Sequence, residues 1–318
     1  FGNLARLKYK YFSKEARSMK KTVLFALMCV VCMCVYAQNT DTDLYYQGFT
    51  YKDTRCIVTG NAVNVRSGAG SGYAKLFQLN AGDIVSVMEK CDAPPLLAED
   101  ALSYWYKITC GKGTGFMCGR WLTSKYAAGD INADGKIDYI TYQAFYRIPY
   151  GAEDFDEYIF TNDTFLLIQG GAVSELKGLS FIPKEKGHPY RPRDIAVIAD
   201  LELPIKNPVI LFSNFFGYGS GRSCICDFYF FNEDNTFSPI ISAGSFWEGY
   251  YYKKTKLIFP NKAYDVYNQK WSDSEKGRKD IIIKITKDGK ENDKYETESE
   301  TVSQTEYRWN GASFEQVR

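Results

Sequence analysis

The run from Gly129 to Asp138 has the side chains of a calcium loop. Counted from its first aspartate, oxygen-bearing side chains occupy positions 1, 3, 5 and 9 of the loop: Asp130, Asn132, Asp134 and Asp138. Gly135 falls at position 6, where such a loop turns sharply, and Lys136 offers its backbone carbonyl at position 7. Because alternate residues of a tight loop point inward, these groups are expected to converge on one hard cation. We therefore predict that all five, from Asp130 to Asp138, bind calcium.

The residues after this loop indicate which element it belongs to. An EF-hand loop has an acidic residue at position 12, where this chain has Thr141. Residues 139–148 are aromatic and β-branched without helical spacing, so they predict a strand. A D-x-N-x-D-G-x-x-D loop before a strand resembles the calcium loops of FG-GAP and VCBS-type β repeats. The alternative is that its Asn, Asp and Gly residues form only a solvated turn.

The first part of the chain has the pattern of an export signal. A charged start at Met19 is followed by a short apolar stretch and a small-residue exit at Ala37. We expect residues 1–18 to be an upstream extension that is not native, 19–37 to be a signal peptide, and 38–55 to be a linker. The protein is then periplasmic or secreted. No later run is long and apolar enough to span a membrane, so no transmembrane anchor is expected after signal removal.

The charge of the chain narrows the class of partner. Residues 1–37 hold seven of the 39 Lys and Arg residues but one of the 38 Asp and Glu residues, so 38–318 are mildly acidic. A nucleic-acid partner calls for a basic face, and none is expected here.

Three of the nine cysteines precede residue 38 and leave lipidation open as an alternative. The other six leave 15 disulfide pairings open, or buried thiols: Cys56, Cys91, Cys110, Cys118, Cys224 and Cys226.

Residues 56–124 carry three motifs in order. Asn-Val-Arg-Ser-Gly begins at Asn64, a Gly-Asp pair begins at Gly82, and Trp-Tyr-Lys-Ile begins at Trp105 before a glycine turn and a Gly-Phe pair. The segment resembles the bacterial SH3 (SH3b) domain over nearly its whole length, with an insertion at 91–103 that lengthens one loop. The resemblance implies a small barrel of short strands. Its core candidates are Val63, Val65, Ile84, Val85, Val87 and Ile108.

The SH3b resemblance implies binding rather than catalysis. Such domains in exported proteins hold cell-wall peptides in an aromatic groove, and Tyr73, Tyr104 and Trp105 are the candidates to line it. The alternative is that these aromatic residues pack inside the barrel or its insertion.

Residues 127–318 are predicted to form a second, β-rich domain that begins with the calcium loop. Short apolar runs such as 195–198 and 228–231 alternate with polar turns. Together with the terminal Tyr-Arg-Trp-Asn-Gly run from Tyr307, they are loosely similar to exported β proteins with a VCBS-like loop, some of them related to lysozyme inhibitors. The predicted fold is all-β, with a small SH3-like barrel followed by a larger antiparallel β domain that is propeller-like or a sandwich.

The SH3b resemblance also raises the alternative of an enzyme, because SH3b domains often accompany Cys-His peptidases. Such an enzyme needs a thiolate beside a histidine base, and the one histidine, His188, lies in a predicted loop. Cys224 and Cys226 fall at the start of a strand, not at a helix N-terminus that would lower a thiol pKa. No spacing singles out a carboxylate pair. The sequence therefore favours a protein that is not an enzyme.

We predict an exported, non-catalytic cell-envelope protein. Its SH3b domain recognises peptidoglycan peptides, and its calcium-stabilised β domain presents a second surface, to which another envelope protein is a possible partner. The alternatives are an inhibitor of a lysozyme-like enzyme and, less favoured, a cell-wall hydrolase.

Overall fold

The computed structural model describes residues 44–47, 52–99, 101–147, 159–176, 194–218, 221–232, 234, 236–273, 277–294 and 296–317. The predicted upstream extension, the signal peptide and His188 lie outside these residues. Within them the chain is built from 24 strands and one 3-10 turn, which confirms the all-β class. No helix in these ranges is long and apolar enough to cross a membrane.

The first twelve strands are β1 (Leu44–Gln47), β2 (Arg55–Val58), β3 (Val63–Arg66), β4 (Lys75–Leu79), β5 (Ile84–Lys90), β6 (Leu96–Ala98), β7 (Ala101–Ser103), β8 (Trp105–Cys110), β9 (Gly113–Cys118), β10 (Leu122–Thr123), β11 (Tyr126–Gly129) and β12 (Asp138–Arg147). The 3-10 turn Gly119–Trp121 joins β9 to β10. The other twelve are β13 (Ile159–Gln169), β14 (Ala172–Glu175), β15 (Asp194–Ile198), β16 (Val209–Tyr218), β17 (Gly221–Phe231), β18 (Phe237–Glu248), β19 (Tyr251–Ile258), β20 (Lys262–Asp265), β21 (Lys270–Asp273), β22 (Ile281–Glu291), β23 (Thr297–Trp309) and β24 (Phe314–Gln316).

Seven short strands form what we call the first sheet, in the order β10-β2-β5-β8-β9-β3-β4. The side chains of β3 alternate, so that Val63 and Val65 are buried while Asn64 and Arg66 are not. Five of the six predicted core residues join one buried cluster, and the sixth, Ile84, is partly buried against a neighbouring cluster. The sheet covers the segment that resembles SH3b, while the identity of that domain stays a prediction.

A second group of strands, the middle sheet, has the order β14-β13-β12-β1-β7-β6, with β11 paired to β12. Two of its parts come from unexpected segments. Strand β1 lies in the predicted linker and pairs in parallel with β7, Tyr45 opposite Leu102. The insertion at 91–103 contains the β6–β7 hairpin. The insertion is therefore not only a longer loop, because its hairpin extends a sheet that lies outside the predicted barrel.

The remaining strands form the large sheet, in the order β15-β16-β17-β18-β19-β22-β23-β24, with β20 between β19 and β21. Its strand β16 buries both faces: Val209 and Leu211 join one cluster, and Ile210 and Phe212 join another. The second cluster also contains Tyr142 and other residues of β12 and β13, so the large and middle sheets pack face to face. Of the two predicted architectures, this packing is that of a sandwich.

The first and middle sheets also share an apolar contact. Ile57 and Ala81 of the first sheet and its turns are buried against Ile168 of β13, with Tyr126 and Tyr139 beside them. The boundary predicted near residue 125 falls between β10 and β11, and the division into two domains stays a prediction. The described residues of 44–146 and 160–318 nevertheless belong to one compact unit.

Candidate binding cleft and calcium loop

The predicted calcium loop connects β11 to β12, which pair with Gly129 opposite Asp138. A strand follows the loop, as the sequence predicts. Ala133 and Gly135 have φ angles of 58° and 84°, in the left-handed region that allows the chain to reverse. The sharp turn therefore lies where the calcium-loop pattern places it.

Backbone amides of the loop bond to its oxygen-bearing side chains. Asp130 Oδ1 and Oδ2 accept hydrogen bonds from the amides of Asp134 and Gly135 at 2.8 and 2.9 Å. Asn132 Oδ1 accepts from the amide of Asp134 at 3.1 Å, and Asp134 Oδ1 accepts from that of Lys136 at 2.8 Å. The last bond lowers the pKa of Asp134. The loop is thus held in shape by its own acidic and amide side chains.

Asp138 is the buried one of the five predicted ligands, with 1% of its surface exposed. Its Oδ2 accepts hydrogen bonds at 3.2 Å from the amide of Ile131 and from Gln169 Nε2. Burial raises the pKa of Asp138, and the charge of Asp134 raises it further. A carboxylate in this position is costly unless a positive charge lies nearby.

The atoms that the five predicted ligands offer decide whether calcium fits the loop. All five predicted ligands offer oxygen, which suits a hard cation. Both oxygens of Asp130 accept loop amides, however, and in the described part of the chain no three or more His, Cys, Asp or Glu side chains form a group that could hold a metal ion. The donor chemistry fits calcium, and its binding stays a prediction.

The three aromatic residues predicted to line a groove lie in different surroundings. Tyr73 is 55% exposed and packs on Gly68, where an added Cβ would come within 2.5 Å of its ring. The ring of Tyr104 lies 3.3 Å from Lys90 Nζ, measured to the ring centroid. Trp105 is buried in a cluster with Cys118. Of the three, Trp105 alone lines the cleft between the first and middle sheets.

A cleft of about 770 Å³ separates the first sheet from the middle sheet. On one side it is lined by β3, the start of β8 and the 3-10 turn, and on the other by β12, β13, β14 and the β6–β7 hairpin. Its apolar lining includes Trp105, Trp121, Phe145, Leu166 and Val173. Its charged lining residues are Arg66, Glu99, Arg120 and Glu175.

Two side chains tie the walls of the cleft together. Asn61 Nδ2 donates to the carbonyl of Gly171 at 2.9 Å, while its Oδ1 accepts from the amide of Ala81 at 3.1 Å. Gln143 Nε2, on β12, donates to Thr59 Oγ1 at 3.0 Å. Because these bonds run from the first sheet's side of the cleft to the middle sheet's side, they hold the two walls together.

Arg120 is the centre of the polar lining. Its Nη2 donates to Glu99 Oε2 at 2.6 Å and its Nη1 to Gln143 Oε1 at 3.2 Å. The guanidinium carbon lies 5.0 Å from the centroid of the Phe145 ring. The sequence patterns did not predict this array. The signal that could have found it is a charged residue between Gly119 and Trp121, in a segment that is otherwise aromatic and apolar.

None of the six cysteines in the described ranges forms a disulfide. Cys224 and Cys226 lie on one face of β17, with their sulfur atoms 3.7 Å apart, and are 1% and 0% exposed. The Cys226 thiol lowers the pKa of Cys224 by hydrogen bonding, and the same contact raises the pKa of Cys226. The pair lies within the core of the large sheet.

We compared the chain with protein-family models, curated proteins and solved structures. None of the three comparisons finds a match.

Proposed function

We propose that this chain is an exported, non-catalytic protein of the cell envelope that binds peptidoglycan peptides in the cleft between its first and middle sheets. The observation that carries the proposal is the cleft itself. Its volume of about 770 Å³ falls in the range of ligand sites, and its lining combines aromatic side chains with a few polar ones. The SH3b resemblance of the first sheet supports a wall peptide as the ligand.

The predicted calcium loop has a place in this proposal. Strand β12 begins at Asp138, inside the loop, and continues to Gln143 and Phe145 at the cleft. Calcium bound by Asp130, Asn132, Asp134, Lys136 and Asp138 would neutralise the crowded carboxylates. The loop would then hold the start of the strand that supplies one wall of the cleft.

The non-catalytic part of the proposal is supported by the position of the thiols. A nucleophilic cysteine must reach its substrate, and Cys224 and Cys226 are at most 1% exposed. Neither of them lines the cleft. Cys118 does line it, but that residue is only 3% exposed and burial raises the pKa of its thiol, which disfavours the reactive thiolate.

The test is cosedimentation of the full chain with insoluble peptidoglycan, using two matched substitutions. Val173→Trp places an indole in the cleft from β14, and Val302→Trp makes the same change at an exposed valine of β23. We expect the first to weaken binding about tenfold, which corresponds to ~1.4 kcal/mol, and the second to leave it unchanged. Equal binding by both variants, or no binding by the unaltered chain, would overturn the proposal. Release of soluble wall fragments would overturn its non-catalytic part.

A further inference from the structure

We infer that Arg120 receives a carboxylate of the ligand and that Glu99 occupies the place of that carboxylate while the cleft is empty. This inference rests on the proposed function and names the chemical class of its ligand, a peptide with a free carboxylate. The Arg120 to Glu99 bond, at 2.6 Å between Nη2 and Oε2, is the observation that carries it.

Arg120 is held in position before any ligand arrives. Gln143 accepts from its Nη1, and Gln143 is itself oriented by its bond to Thr59. The Phe145 ring lies beside the guanidinium. The side chain of Arg120 is only 14% exposed, yet the residue lines the cleft. A fixed guanidinium facing a cleft is the group that proteins use to bind carboxylates in a defined geometry.

Glu99 differs from Arg120 in being exposed. Its side chain is 56% exposed, at the tip of the β6–β7 hairpin. Its φ is +55°, where turns favour glycine, asparagine or aspartate. Turn chemistry therefore does not account for a glutamate here, whereas its bond to Arg120 does. Because a partly exposed ion pair contributes little stability, a ligand carboxylate can replace the Glu99 carboxylate on the same guanidinium.

Glu175 provides a matched comparison. It lines the same cleft from β14 and carries the same charge as Glu99. The ion pair with Arg120 Nη2, however, is made by Glu99. Removing either charge makes the cleft less negative. Only the removal of Glu99 also takes away the carboxylate to which Arg120 Nη2 donates. A larger gain in ligand affinity for Glu99→Gln than for Glu175→Gln therefore measures the competition between Glu99 and the ligand carboxylate for Arg120. The effect of cleft charge alone is common to both variants.

The experiment is calorimetric titration of the full chain with acetyl-Lys-D-Ala-D-Ala and with the same tripeptide amidated at its carboxyl terminus. The unaltered chain should prefer the acid form. Glu99→Gln should raise affinity for the acid form roughly two- to fivefold, the range expected from replacing an exposed ion pair, and leave the amide form unchanged. Glu175→Gln should give a smaller gain. Arg120→Gln should remove the preference for the acid form.

Two results would overturn the inference, and they are distinguishable. If the unaltered chain binds peptidoglycan but has equal affinity for acid and amide peptides, the carboxylate assignment is wrong and wall binding stands. If no variant binds either peptide and the chain also fails to cosediment with peptidoglycan, the assignment falls together with the proposed function. Melting curves of each variant show whether it is folded.

Discussion

Tyr252 lies across Gly289, the residue opposite it on the neighbouring strand β22. A Cβ added to Gly289 would come within 2.3 Å of the tyrosine ring. The hydroxyl of Tyr252 continues past the glycine and donates to Glu300 Oε2 on β23 at 2.8 Å. One side chain thus spans three strands of the large sheet, and the missing side chain at position 289 is what makes room for it.

Gly289→Ala should therefore destabilise the large sheet. The ring of Tyr252 is buried and hydrogen-bonded, so the new methyl group must displace it and break its bond to Glu300. Overpacking of this kind costs roughly 1–3 kcal/mol, or about 3 to 10 °C in melting temperature. Gly244→Ala is the control, because a Cβ there would have its nearest neighbour at 3.8 Å. A cost for Gly289→Ala that persists in a Tyr252→Ala background would contradict this explanation.

The second prediction concerns calcium. At 10 mM calcium and a dissociation constant of 10⁻⁴ to 10⁻³ M, binding to the folded state alone adds roughly 1.4 to 2.7 kcal/mol. The melting temperature should then rise by about 3 to 10 °C relative to chelator. Asp134→Ala should abolish this rise, because it removes one of the three carboxylates of the loop.

The control for the Asp134→Ala substitution is the same change at another aspartate in a turn. Asp234 lies between β17 and β18 and, like Asp134, accepts a hydrogen bond from the amide two residues later. Asp234→Ala should leave the calcium-dependent rise intact. If chelator changes neither the melting temperature nor the rate of proteolysis near residue 130, the loop is a solvated turn and calcium has no part in it.

The third prediction follows from the raised pKa of Asp138. Since the folded state raises this pKa, folding favours the protonated carboxyl. The stability it contributes is present at low pH and is lost as pH rises from about 3.9, the ordinary aspartate pKa, through the raised value. In chelator, the unaltered chain should therefore lose stability relative to Asp138→Asn between pH 4 and 7. Calcium should reverse that trend, because a bound cation favours the charged form. A relative gain with rising pH in chelator would show that the buried carboxylate is already stabilised.

Local patterns predicted the strands better than they predicted the sheets. Alternation identified Val63 and Val65 as core residues, and the glycine of the 130–138 loop falls where the chain reverses. Strand β1 was missed because its partner Leu102 is 57 residues away from Tyr45, and four residues carry too little pattern to indicate a pairing at that distance. Pairing between distant short strands depends on packing that no local segment encodes.

The predicted aromatic groove shows a different limit. Tyr104 and Trp105 are adjacent at the start of a strand, where successive side chains point to opposite faces. Elementary strand geometry therefore argues against one groove lined by both. The array around Arg120 joins a hairpin tip, a 3-10 turn and strand β12, which are brought together only by the packing of two sheets. A charged residue among apolar neighbours singles out Arg120, but no spacing in the sequence specifies its partners.

The last prediction separates the cleft from the first sheet alone. Residues 52–124 keep every strand of the first sheet and its buried cluster. Cut out of the chain, they lose the contact of Ile57 with Ile168 and the bonds of Thr59 and Asn61 to the middle sheet. Uncovering Ile57 costs up to about 1.5–3 kcal/mol, a large share of the stability of so small a domain. The fragment should therefore melt below the full chain.

Binding by the same fragment tests where the ligand lies. Strands β12 to β14 supply one wall of the cleft, so the fragment should cosediment with peptidoglycan at least about tenfold more weakly than the full chain, a loss of ~1.4 kcal/mol or more. Binding should be measured below the melting temperature of the fragment, with circular dichroism to show that it is folded. A folded fragment that binds as tightly as the full chain would place the ligand on the first sheet alone. Tyr73 would then become the residue to substitute, because it is the exposed aromatic side chain among the three predicted there.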